Sequence, residues 1–361
     1  MSSHPAGPFA NVGLHHVEWY VADAEAGAQE FIDRYGFERH ASRGDRSGGS
    51  EAYSVLLRQG EITLLITETT HDHHPAARYV QQHGDGVADI ALRVDDAAEA
   101  YAAAVRVGAV PIAPPAEIAE GWVMARVQGF GDVAHTLIQR PPGASQFLPG
   151  FLPAERSHAG HRQDLMVLDH FAVSLPNGEL GSTVRFYEDA FGFQAVFEER
   201  IEVGAQAMDS VVVQSTSRDV TLVLIEPDTE TEAGQIDDFL KSHGGSGVQH
   251  LAFTTPDIVK SVADIQSRGV EFLPAPAPYY ERLSARMNVQ QHDVDDLRRL
   301  NILVDEDHDG QLFQIFTRST HPRRTVFLEL IQRIGATTFG SGNIKALYEA
   351  VECSRIQAES L

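Results

Sequence analysis

Apolar and polar positions along the chain recur in an order that appears four times. Gly13–Val21 is apolar and aromatic enough for a strand, a helical stretch follows from about Ala24 to Tyr35, and Tyr53–Leu57 and Ile62–Glu68 read as a hairpin across Arg58-Gln59-Gly60-Glu61. The order returns with a strand at Val87–Val94, a helix at Asp96–Val107 and strands reaching about Arg140. Pro141–Gln163, dense in proline and glycine at its start, breaks the pattern as a linker. A third round runs through Leu168–Leu175, a helix at Leu180–Phe191, and strands at Asp209–Gln214 and Val220–Glu226. The fourth has Gly247–Thr254, a helix at Asp257–Arg268, and strands at Gln311–Thr317 and Val326–Gln332. It is interrupted by an insertion, Pro274–Val304, that predicts its own helix over Val294–Leu300.

The two halves also answer each other residue by residue. Glu329-Leu330-Ile331-Gln332-Arg333 matches Thr136-Leu137-Ile138-Gln139-Arg140, Gly247-Val248-Gln249-His250 matches Gly86-Val87-Ala88-Asp89, and Asp169-His170-Phe171 matches His15-His16-Val17. Internal repetition of this kind sets architecture. It predicts an α+β fold of four βαβββ modules, paired into two open barrels that each form a cup able to hold a ligand. The expected organisation is a loose arm over residues 1–11, an N-terminal domain over 12–150, a linker over 151–166, and a C-terminal domain over 167–361 that ends in a lid helix.

The registration singles out His170, His250 and Glu329, which align with His16, Asp89 and Thr136 of the first half. Each of the three sits in an alternating apolar strand, with Leu168 and Ala172 flanking His170, Val248 and Ala252 flanking His250, and Phe327 and Ile331 flanking Glu329. A carboxylate on such a face needs a partner charge, and a shared cation supplies it. Two imidazoles and one carboxylate leave coordination positions open, as in non-haem Fe(II) oxygenases. One half therefore reads as a metal site and the other as its degenerate copy. His71-Asp72-His73-His74 looks more like a metal cluster but falls in a polar loop beside Pro75, and His15, His16, His158 and His161 read as solvated or structural.

Composition adds exclusions. At 361 residues the chain is long enough for two cores. A net charge of −23 argues against nucleic acid or anionic membrane as partner. One cysteine, Cys353, permits no internal disulfide, and with no secretory signal or long apolar run the expected location is the cytoplasm.

From about Val12 to Gln357 the chain resembles the 4-hydroxyphenylpyruvate dioxygenase family, of the vicinal-oxygen-chelate fold. The resemblance rests on Gly247-Val248-Gln249-His250, Leu312-Phe313-Gln314-Ile315-Phe316-Thr317, Val326-Phe327-Leu328-Glu329 and Phe339-Gly340-Ser341-Gly342-Asn343. It implies Fe(II) on His170, His250 and Glu329, an aryl pyruvate substrate that chelates the metal, dioxygen as co-substrate, and a homodimer.

Two departures from the family pattern stand out. Homogentisate-forming members carry Pro-x-Asn-Glu-Pro where this chain has Val223-Leu224-Ile225-Glu226-Pro227, and Phe in the C-terminal Gly-x-Gly-Asn-Phe run where it has Ile344. Both changes resemble the sister branch, which converts the same substrate to 4-hydroxymandelate. Val223, Ile225 and Ile344 are thus expected to form the substrate wall. Ser210, Gln314, Phe339 and Asn343 are further candidates for substrate contact, and Asn343 alternatively for capping a final helix whose apolar stripe is Ile344, Leu347, Tyr348 and Val351. The same fold also admits a ring-cleaving dioxygenase or a non-catalytic binder of aromatic metabolites.

Overall fold

The computed structural model describes residues 7–47, 49–154, 164–275, 277–340 and 342–346. The first half contains β1 (Gly13–Tyr20), α1 (Ala24–Glu30), β2 (Glu38–Arg43), β3 (Tyr53–Gln59), β4 (Ile62–Glu68), α2 (Pro75–His83), β5 (Gly86–Arg93), α3 (Ala97–Arg106), β6 (Pro111–Ala119), β7 (Trp122–Gln128), β8 (Ala134–Gln139) and a short β9 (Leu152–Pro153). The second contains β10 (Leu168–Ser174), α4 (Leu180–Phe191), β11 (Gln194–Val203), β12 (Gln206–Gln214), β13 (Thr221–Pro227), α5 (Gln235–His243), β14 (Gly247–Thr254), α6 (Ile258–Ser267), α7 (Ala277–Arg286), α8 (Val294–Leu300), β15 (Leu303–Glu306), β16 (Gln311–Phe316) and β17 (Phe327–Ile334). The helix expected over 24–35 closes with a π turn at Phe31–Tyr35. β2, β9, β11, β15, α2, α5 and α7 were not expected from the sequence; β2 and β11 are rich in polar and charged residues and lack the apolar run that marks the other long strands.

The helices begin where an aspartate can satisfy free backbone donors. Asp23 accepts from Glu25 and Ala26, Asp96 from Ala98 and Glu99, and Asp257 from Lys260. Gly36 and Gly192 close helical segments in the left-handed conformation, with φ 80 and 65°, where a Cβ would be strained.

One sheet has the order β6-β7-β8-β5-β1-β4-β3-β2-β9 and the other β11-β12-β13-β10-β14-β17-β16-β15. Read from β15, the second follows the first strand for strand. In each, the opening strand pairs parallel with one neighbour and antiparallel with the other: β1 with β4 and β5, β10 with β13 and β14. Apolar residues of α1, α3, α4 and α6 pack with one face of both sheets in a single core that includes Val17, Leu64, Phe171 and Phe253. The opposite face of each sheet lines a cup.

Two boundaries differ from expectation. Phe9, placed in the loose arm, is buried with its ring 5.0 Å from Phe191. Phe147 and Leu148, in the proline- and glycine-rich stretch Pro141–Gln163, pack into the first cup, and β9 of the expected linker pairs with β2. Apolar side chains override a Pro/Gly-rich composition when a groove is there to receive them. Residues 155–163 lie outside the described residues.

The first cup contains a carboxylate that bears on stability. Glu18, partly buried, accepts a 2.7 Å hydrogen bond from Thr67, and its pKa is pushed up to about 7 by burial and by the Asp89 charge. A carboxyl with a raised folded-state pKa costs stability as pH climbs from the unfolded value through the folded one, and the whole cost is present above it. Glu18→Gln is therefore expected to stabilise the protein at pH 8 by on the order of 2 kcal/mol, after allowance for partial exposure, and by much less at pH 5. Urea unfolding at both pH values checks the sign.

Candidate metal centre

β10, β14 and β17 are adjacent in the second sheet, so three separated sequence segments meet on one surface. Ala252 pairs with His170 on one side and Glu329 on the other, placing both on one line across the sheet. Its methyl group leaves the space between them free. His250 Nε2 lies 3.2 Å and His170 Nε2 3.4 Å from Glu329 Oε2. All three side chains are buried, Glu329 at 1% exposure.

Both histidines owe their aim to β-bulges. The β10–β14 register skips Asp169 on one strand and Gln249 on the other. An extra residue at each place brings neighbours in sequence to the same side, so Asp169 reaches His170 Nδ1 at 2.8 Å and Gln249 reaches His250 Nδ1 at 3.3 Å. The Nε2 atoms are left to face Glu329. The bulges also correct the simple alternation read from the sequence: Leu168 and Val248 belong to the helix-side core, whereas Ala172 and Ala252 line the cup side. The first sheet carries bulges at the matching places, His15 and Ala88.

The electrostatics suit a cation. Burial would push the Glu329 carboxyl up, but the two imidazoles hold it well below the usual range. Burial would lower His170, but Glu329 and Asp169 outweigh it and raise it, while burial prevails at His250 and lowers it. Without a metal, a proton on His170 balances Glu329; a divalent ion does the same and displaces it. Three ligand atoms about 2.1 Å from a common ion and near right angles stand about 3 Å apart, close to the separations observed. The donor set therefore fits a metal of the two-histidine, one-carboxylate type.

Around this centre Ser210, Val223, Ile225, Gln314, Phe339 and Ile344 line one cavity with the triad. Ser210 donates to Glu199 O. Gln314 donates to Glu329 Oε1 at 2.8 Å and accepts from Asn343 at 2.8 Å, so it positions a ligand carboxylate. Asn343 neither caps the helical turn at 342–346 nor lines the cavity. Fully buried, its amide is taken by Gln314 and by the Tyr279 hydroxyl from the insertion. The stripe residues Leu347, Tyr348 and Val351 lie outside the described residues.

Other contributors were not singled out by the sequence. Phe316 and Phe327 line the cavity, and strand alternation from Gln314 and Glu329 could have found them. Arg333 grips Asp169 with two bonds of 2.8 and 2.9 Å and donates to Thr338 O, with its guanidinium 5.0 Å from the Phe339 ring centre. No local motif announces that link. The His71–His74 run is structural: His71 Nε2 bonds Ser50 O, and His74 caps α2. Asp307, His308 and Asp309 also cluster, but Asp307 is occupied by four backbone N–H groups.

The paired cups and the open triad define a vicinal-oxygen-chelate protein with a His-His-Glu group suited to hold a metal ion. Residues 6–147 match the model described as hydroxyphenylpyruvate dioxygenase, N-terminal, and residues 167–315 match the glyoxalase/bleomycin resistance protein/dioxygenase superfamily. The 4-hydroxyphenylpyruvate dioxygenase of Caenorhabditis elegans is 34% identical, with 97% of this chain and 93% of that protein covered; that of Aspergillus fumigatus is 32% identical, covering 94% and 92%. A solved structure of a triply substituted 4-hydroxymandelate synthase from Streptomyces coelicolor aligns with TM-score 0.85 and 42% identity over 95% of this chain and 98% of that one. The chain belongs to the 4-hydroxyphenylpyruvate dioxygenase family.

Proposed function

We propose that the protein is a 4-hydroxymandelate synthase, converting 4-hydroxyphenylpyruvate and O2 to 4-hydroxymandelate and CO2. The observation that carries this reading is the wall of Val223, Ile225 and Ile344, which shares the cavity with the triad and offers no hydrogen-bond donor to an aromatic ring. The overall likeness to a synthase structure supports it. His170, His250 and Glu329 would hold Fe(II), which when bound supplies oxygen activation and oxidative decarboxylation of the chelated keto acid.

The chain's own residues then set where oxidation falls. Asp169 and Gln249 fix the imidazole tautomers by taking Nδ1. Gln314 fixes the unused oxygen of Glu329. Phe339, 5.3 Å from the His170 ring in an edge-on arrangement, and the aliphatic wall confine the substrate ring by shape. Ser210 is the hydroxyl available on that side. Phe339 and Ile344 bound the cavity on the side away from the strands that hold the triad.

Incubation with 4-hydroxyphenylpyruvate, Fe(II) and ascorbate, followed by product chromatography, tests the proposal: 4-hydroxymandelate is expected, and homogentisate would refute it. The second reading, a homogentisate-forming dioxygenase, is favoured by the names of the curated relatives at 32–34% identity. O2 uptake coupled to CO2 release distinguishes either enzyme from a simple binding protein. Ile225→Asn with Ile344→Phe is expected to move the product ratio about tenfold toward ring oxidation, about 1.4 kcal/mol of relative barrier. An unchanged mixture would show that this wall does not set selectivity.

A further inference from the structure

The larger cavity is in the other cup. A space of about 460 Å³ opens in the first half, against about 40 Å³ at the metal centre. The two are lined at equivalent positions. Ser54 opposes Thr67 as Ser210 opposes Ile225, and Arg126 opposes Thr136 as Phe316 opposes Glu329. His16 stands where His170 does. A cup that had lost all use would be expected to fill, since interiors pack to near-crystalline density.

The metal chemistry is gone from this cup, and its replacement is legible. Asp89, at the position of His250, accepts from Thr136 N at 2.9 Å and from Thr136 Oγ1, and Arg126 Nε lies 2.9 Å from it. A guanidinium of the chain itself has taken the place of a metal ion. Arg126 and Asp89 neutralise each other, and Arg126 also donates to the Tyr20 hydroxyl at 3.2 Å. Glu18, two residues beyond His16 where the other cup has Ala172, adds a second carboxylate. It receives the Thr67 hydroxyl, which in turn contacts Ser54 at 2.8 Å. Among the described residues no cation forms an ion pair with Glu18. Arg43 and Glu51 stand at the exposed rim, one of each sign, while Leu65, Leu148 and Phe151 supply an apolar side.

We propose that the first cup is a second small-molecule site, for a ligand whose ammonium group meets Glu18 and whose aromatic or apolar body lies on Leu65, Leu148 and Phe151. Arg126 and Arg43 attract Glu18 only through space, so an ammonium adds a direct ion-pair partner and donates to a carboxylate already oriented by Thr67. Arg126, held by Asp89 and Tyr20, keeps the polar side of the cup in place. The site is separate from the metal centre and needs no iron.

Calorimetric titration of the full-length protein with tyramine tests this, with 4-ethylphenol as the counterpart lacking the charge. Saturable binding of one tyramine per chain is expected, at least tenfold weaker in Glu18→Gln, unchanged in His250→Ala, and not shared by 4-ethylphenol. Circular dichroism establishes that both variants are folded. Absence of saturable binding, equal affinity for the uncharged compound, or loss in His250→Ala instead of Glu18→Gln would each overturn the proposal.

Discussion

Glu329→Gln is expected to leave a folded protein that retains almost no iron and shows no measurable turnover. The amide keeps the shape of the side chain and its contact with Gln314 but removes the negative charge. Two neutral imidazoles then face the ion alone, at a place where only 1% of the side chain is exposed to water. A buried cation without its anionic ligand is poorly compensated. The loss is not expected to unfold the chain, because the carboxylate is itself a buried charge whose replacement relieves a desolvation cost. Iron per chain after loading and gel filtration, read beside thermal unfolding, distinguishes the two effects. Full iron occupancy in Glu329→Gln would refute the assignment of the ligand set.

The second large effect is expected at Asp169, which does not touch the ion. Asp169→Asn should weaken iron binding on the order of 10–100-fold, the usual scale for losing a carboxylate behind a ligating histidine. The carboxylate receives two bonds from Arg333 and one contact from His170 Nδ1, and Arg333 and His170 keep its pKa low. Arg333 also donates to Thr338 O and lies over Phe339. The same substitution is therefore expected to loosen the segment that bounds the substrate, raising KM as well as the iron dissociation constant. A purely structural role would lower stability without altering iron affinity in the folded fraction. Titration of Fe(II) into metal-free protein, with KM measured at saturating iron, separates the possibilities.

Much of the architecture was legible because it is written twice. Strand–helix order and the convergence of His170, His250 and Glu329 follow from aligning one half on the other, while the insertion helix at Val294–Leu300 was read from its own pattern. The bulges were not legible: period-two alternation assigns Asp169 and His170 to opposite faces, and only an extra residue in the ladder brings them together. The Gln314–Asn343–Tyr279 chain escaped for a different reason. Its members come from β16, the 342–346 turn and the insertion, and hydrogen bonds across such distances leave no periodic trace. The first cup was expected as a cup but read as a degenerate copy because the ligand residues had changed; which side chains would line its space was not legible.

The single apolar interior shared by the helices of both halves has a consequence for how such a chain can evolve. Phe37 lies against Phe253, Phe9 against Phe191, and the Tyr187 hydroxyl donates to His135 Nε2, whose Nδ1 donates to Ile90 O. Each half therefore serves as the other's solvent shield, and deleting the first half would strip the half with the His-His-Glu triad of its backing. Side chains facing the first cup are free to vary, whereas those of its helix-side core are tied to the other half.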